Sequence, residues 1–106
     1  MNSTSGDIIA TRELLFSSKG ESVRSKVTIA VYKPIELQND DVNHEFSGRA
    51  ACCRVVFDGL DEPDYLAHGA DTLQALELAM QVDTALRRLS RKYDFYFETG
   101  EDYFEE

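Results

Sequence analysis

The sequence predicts an α+β domain: an antiparallel meander of three to four strands, with a further strand available in the carboxy-terminal tail, covered on one face by one long helix. Three observations predict it. Short segments of alternating apolar and polar residues fill positions 8–70, and helical periodicity is confined to a single late stretch, 71–92. Strands and helices do not alternate, so no parallel crossover is called for. At 106 residues the chain is one domain, with mass enough for a single hydrophobic core. It divides into a polar start at 1–7, the sheet at 8–70, the helix at 71–92 and an acidic, aromatic tail at 93–106.

Residues 1–7, MNSTSGD, are small and polar and specify no structure. From Ile8, IIATRELLF is rich in β-branched and apolar residues and places Ile8, Ala10, Leu14 and Phe16 on one strand face. Arg12 interrupts that face. It reads as an arginine near a strand end or edge, whose stem lets the guanidinium reach water. SSKGES at 17–22 is a turn. In VRSKVTIAVY, Val23, Val27, Ile29 and Val31 alternate with Arg24, Lys26 and Thr28, so one face should be buried and the other wet. From Pro34 to about Ser47 the sequence is loop-like, a length that goes with function, mobility or a concealed short element. Arg49 to Asp58 is the next strand, with Ala51, Cys53, Val55 and Phe57 on one side and Cys52, Arg54 and Val56 on the other. Gly59 to Pro63 turns the chain, and Tyr65 to His68 forms a short fourth strand before Gly69 releases it into the helix.

In DTLQALELAMQVDTALRRLSRK, Ala75, Leu78, Ala79, Val82, Ala85, Leu86 and Leu89 share one arc, with Tyr93 at its end. Leu73, Leu76 and Met80 widen that arc over the first half only, so that half should be covered on two sides. Asp71 is placed to cap the first turn and Gln74 to reach back, as in a capping box. Arg87, Arg88, Arg91 and Lys92 crowd the last turns, where cations meet the negative end of the helix dipole.

Charge is unevenly spread. Twenty acids against eleven bases give −9; the tail, YDFYFETGEDYFEE, holds six acids and no base, which leaves −3 for the first 92 residues. Such a surface repels nucleic acid and favours a basic protein. Six aromatics are interleaved with those acids, Tyr93, Phe95, Tyr96, Phe97, Tyr103 and Phe104. A disordered acidic tail rarely carries so many, so at least part of it should pack, with Phe95 and Phe97 in a last strand or turn.

Other chemistries find little support. Cys52 and Cys53 are adjacent and on a strand point to opposite faces, so reduced thiols and a reducing compartment are expected. His44 and His68 show no metal-ligand spacing, and there is no Gly-rich phosphate loop or activated nucleophile motif. The expectation is therefore no catalytic residues, no cofactor and no metal. MNSTSGD lacks the cationic region of a signal peptide and no apolar run could span a bilayer, which points to the cytoplasm and no membrane.

IATREL at 9–14, VVFDGL at 55–60 and GADTLQALELAMQ at 69–81 resemble a widespread bacterial family of small domains of unknown function. Its members open with an Ile-Ala-x-Arg-x-Leu strand and carry a Gly-x-Asp-Ser/Thr-x-Gln-Ala-Leu helix start. The resemblance runs from about Ile9 to Gln81 and leaves out the tail. It implies a bacterial source and the strand-then-helix order, and it transfers no site residues.

The functional expectation is a small acidic protein-binding domain. Its profile is that of an immunity protein, which neutralises a cognate toxin, commonly a nuclease, by placing carboxylates in a basic cleft where phosphates would sit. Glu98, Glu101, Asp102, Glu105 and Glu106 would supply the field, with Tyr96, Tyr103 and Phe104 as anchors. The alternative is a self-associating housekeeping or regulatory module, a homodimer through a sheet edge or the outer sheet face.

Overall fold

The computed structural model describes residues 6–37 and 50–104. Within them the alternating segments become β1 (Ile8–Ser18), β2 (Ser25–Tyr32), β3 (Ile35–Leu37), β4 (Ala50–Asp58), β5 (Tyr65–Gly69) and β6 (Tyr93–Tyr96), while the helical stretch becomes α1 (Thr72–Ala79) and α2 (Val82–Leu89). All strand pairings are antiparallel. Val55 lies opposite both Val31 and Tyr65, and Cys52 opposite both Ile35 and His68. A strand has only two edges, so β2 and β3 follow one another along one edge of β4 and β5 takes the other. The meander β1–β2–β4–β5 is the one expected. The additions are β3, concealed at the start of the loop-like stretch, and β6, which returns after the helices to pair with β1 over Leu15–Ser18. Most of that stretch, with His44 and Arg49, lies outside the described residues.

Register sets which side chains meet the helices. Leu14 opposes Val27, Ile29 opposes Phe57, Val31 opposes Val55, and Cys53 opposes Ala67; all eight are buried on one face with Ala51 and Phe95. Val23, expected there too, lies ahead of β2 in an irregular connection and is exposed. The opposite face is less wet than alternation suggests. Ala30 and Cys52 are buried on it, where long neighbours shade small side chains; the Arg54 guanidinium lies 4.5 Å from the Tyr32 ring centroid. Both cysteines are free thiols, and Cys53 Sγ donates to the Tyr32 carbonyl at 3.0 Å.

The helix expected over 71–92 is present but bent: α1 and α2 meet at Met80 and Gln81, where Gln81 leaves the helical region with ψ 55°. Neither proline nor glycine stands there, and the apolar arc runs on through the break. Side-chain size offers a reason. The buried residues of α1 are Ala75 and Ala79 alone, whereas α2 buries Val82 and Leu86 beside Ala85. Alanines seat a helix close to a sheet and larger residues hold it away, so one straight rod over a twisted sheet would satisfy only one half. The close seating of α1 is visible at Gly69, where an added Cβ would come within 2.5 Å of the Ala75 nitrogen. Asp71 caps α1 by accepting from the Gln74 N–H at 2.8 Å, and Gln74 reaches back to the Ala70 N–H at 2.7 Å. Among the described residues nothing supplies the second cover expected for α1: Leu73 is 71% and Met80 59% exposed. Among the described residues no helix is long and apolar enough to cross a membrane.

Candidate functional site

The tail is a hairpin held on the open edge of β6. Alternation buries Phe95 among the core residues, and Tyr93 packs edge-on against Phe16 at 5.5 Å between centroids. Beyond Tyr96 the chain turns at once: the Gly100 N–H donates to the Phe97 carbonyl, the Phe97 N–H to Glu101, and the Tyr103 N–H back to Phe95. Gly100, at φ +100°, supplies the left-handed residue this turn needs. The acidic residues Glu98, Glu101 and Asp102 are thereby displayed at the tip and returning arm, all exposed.

Two arginines from elsewhere in the chain hold this hairpin, one on each face. Tyr96 lies on the sheet face away from the helices, where its hydroxyl shares a hydrogen bond of 3.1 Å with Ser17. The Arg24 guanidinium stacks 3.7 Å from the Tyr96 ring centroid and donates to the Gly100 carbonyl at 3.2 Å. On the helix side, Arg12 donates to the Tyr103 hydroxyl at 2.7 Å, and that hydroxyl donates to Asp83 at the start of α2. Burial, reinforced by the Asp83 hydrogen bond, pushes the Tyr103 phenol up from its ordinary value. Phe104 lies under Arg87, 4.3 Å from ring centroid to guanidinium, and edge-on to Tyr103.

The expected site residues are thus sorted by the fold. Tyr96, Tyr103 and Phe104, expected as anchors for a partner, are half-buried and engaged within the chain. Glu98, Glu101 and Asp102 are presented together, and Glu105 and Glu106 lie outside the described residues. The aromatic left accessible is Phe97, 43% exposed beside the three carboxylates and packed on Tyr103 at 5.0 Å. Below the hairpin a cleft of about 540 Å³ opens towards the end of α2, with Lys19, Arg87, Ser90, Asp94 and Asp102 among its walls. Its charges are mixed, and Lys19 pairs directly with Asp94 across it. Sequence reading missed Arg12, Arg24 and Asp83 as the supports of the acidic turn, and no local signal could have found them. Their partners are 71 to 91 residues away for Arg12 and 76 for the Arg24–Gly100 bond.

His68 is exposed on β5, and among the described residues no three of His, Cys, Asp and Glu converge as a metal site would require. Compared with protein-family models, with curated proteins and with solved structures, the chain matches none of them.

Proposed function

We propose that this chain is a small acidic protein-binding domain of the immunity type, whose partner is a basic toxin domain, in the first instance a nuclease. One observation carries the reading: the acidic turn is held in a fixed place by two arginine supports instead of trailing in solvent. Glu98, Glu101 and Asp102 are displayed on that turn, with Phe97 as the accessible aromatic. Fixed carboxylates can enter a basic cleft without the ordering cost a loose tail would meet on binding. Net charge of −9 adds long-range attraction for a basic protein, and that attraction weakens with salt over a Debye length of about 8 Å.

The test is a titration of a catalytically inactivated basic nuclease toxin domain from the same genome into the wild-type chain and into E98Q/E101Q/D102N, at low and physiological salt. The expected result is a one-to-one complex whose affinity falls at least about tenfold in the triple variant, together with much of its salt dependence. Unchanged affinity would remove the acidic turn from the site, and absence of binding by the wild-type chain would remove the immunity reading. Truncating the tail is the poorer test, because it would also delete Tyr103 and Phe104 from the packed structure. The self-associating alternative draws on the exposed Ile8, Ile9, Leu73 and Met80, and sedimentation of the chain alone separates it.

A further inference from the structure

We infer that the open edge of β1, from Ile8 to Leu14, is a slot for an extended segment of the partner, apolar on alternate residues and basic at its amino-terminal end. This deepens the reading of an acidic domain with a basic partner and rests on it.

β1 is eleven residues long, and β2 covers one of its edges from Ile8 to Phe16. β6 covers the other only from Leu15 to Ser18. Among the described residues nothing pairs with the outer edge of Ile8 to Leu14. Hydrogen-bond alternation says which groups are left open. The Phe95 carbonyl accepts from Tyr103 on the side away from β1, so Phe95 and Phe16 are a non-hydrogen-bonded pair. Leu15 then directs its peptide groups at Tyr96, and by the same alternation Glu13 and Thr11 direct theirs into the empty position. Natural edges are usually blunted by charged side chains, proline or a bulge. Here the two charges are drawn to partners within the chain, Arg12 to Tyr103 and Asp83 and Glu13 to Lys26, there is no proline, and the one register shift lies at the far end, between Ile8 and Ala10.

Two features identify the occupant. On the helix side the slot adjoins a groove of about 190 Å³ walled by Ala10, Ile29, Val31, Met80 and Val82, with Thr11 and Arg12 at its rim. Alternate apolar residues of an added strand would fill it and cover the exposed Met80. At the other end the slot begins where β6 stops: Tyr96 opposes Leu15, and the chain then leaves the sheet in the turn that carries Glu98 and Glu101. A strand continuing the line of β6, antiparallel to β1, places its first residues beside that turn and near Glu13. Those residues should be lysine or arginine, or the free amino terminus itself. At about 3.3 Å per residue the seven open positions admit a strand of about seven residues.

The probe is a synthetic peptide, Lys-Lys-Val-Thr-Val-Thr-Val amide, with its glutamate counterpart, Glu-Glu-Val-Thr-Val-Thr-Val amide, as control. Amide exchange followed by NMR on the full chain should show Thr11 and Glu13 slowed about tenfold by saturating basic peptide and unaffected by the acidic one. Thr11→Pro removes an open-side donor while leaving the β1–β2 ladder intact, and should weaken peptide binding about tenfold with an unchanged circular dichroism spectrum. Should that variant fail to fold, the exchange pattern of the unaltered chain decides alone. Slowing at β5 or on the outer sheet face instead of at Thr11 and Glu13 overturns the slot. So does protection of those two amides that rises with protein concentration without peptide, which would mean that a second copy fills the edge. A toxin domain that binds Thr11→Pro as tightly as wild type also defeats the slot and leaves the acidic reading standing. Peptide protection without binding of any basic protein does the reverse.

Discussion

Removing the Tyr103 side chain should release the acidic hairpin from the body of the protein, and its cost can be worked in two steps. Tyr103→Phe deletes only the hydroxyl, which joins Arg12 to Asp83. Their side chains are 50% and 60% exposed, so water replaces the lost partner on each and no buried group is stranded. The cost should be about 1 kcal/mol. Tyr103→Ala also removes a half-buried ring packed at 5.0 Å against both Phe97 and Phe104, raising the total to about 2–3 kcal/mol. A domain of this size has about 5–15 kcal/mol in all, so both variants stay folded. Urea unfolding followed by circular dichroism measures the differences, and each kcal/mol should lower the thermal midpoint by about 4–8 °C. A cost below about 0.5 kcal/mol for Tyr103→Ala would mean the tail is not anchored there and would undercut the fixed acidic turn. Equal costs for the two variants would mean that the hydroxyl network, not the ring, holds it. A cycle with Asp83→Asn settles how much of the first step belongs to that pair.

Two further predictions concern the scaffold. Gly69→Ala should destabilise by about 1–3 kcal/mol, because the new methyl meets the backbone of α1, which must lift from the sheet to admit it; a neutral result would show that α1 does not sit so close. At high pH stability should fall as tyrosines ionise. Tyr65, Tyr93 and Tyr103 are each held above the ordinary phenol value of 10.0, with burial the first cause in all three. The folded state therefore favours the neutral phenol, and its stabilising contribution is complete below pH 10.0 and lost as pH rises through the folded values. Alkaline urea titrations should show this fall, shallower in Tyr103→Phe, and an identical slope in that variant would contradict the shielding of Tyr103.

Much of the fold is legible in local pattern. Strict alternation at Val27, Ile29 and Val31 and at Ala51, Cys53, Val55 and Phe57 names the strands and their buried faces, since a strand exchanges faces at every residue. Asp71 and Gln74 name the start of the helix because a cap acts over three or four residues. The break at Gln81 is a different matter. The arc Ala75, Ala79, Val82, Leu86 is continuous in sequence, and only contact with a sheet of given twist reveals that its two halves need different stand-off distances.

The same division runs through the candidate site. The concentration of acids and aromatics after Lys92 is a property of composition and could be read at once. Which aromatics are spent inside the fold and which face outward could not. Tyr96 and Tyr103 are taken by Arg24 and Arg12, side chains that β1 and the connection after it bring alongside when β6 docks on β1, leaving Phe97 exposed. The edge from Ile8 to Leu14, unpaired on its outer side among the described residues, was equally hidden, because it follows from where β6 ends short of the strand it pairs with. Sequence by itself determined what most segments would become, β1, β2, β4, β5 and the start of α1 among them, since propensity, alternation and capping act between near neighbours. Tertiary structure decided what each segment would leave uncovered, since exposure depends on where distant segments stop.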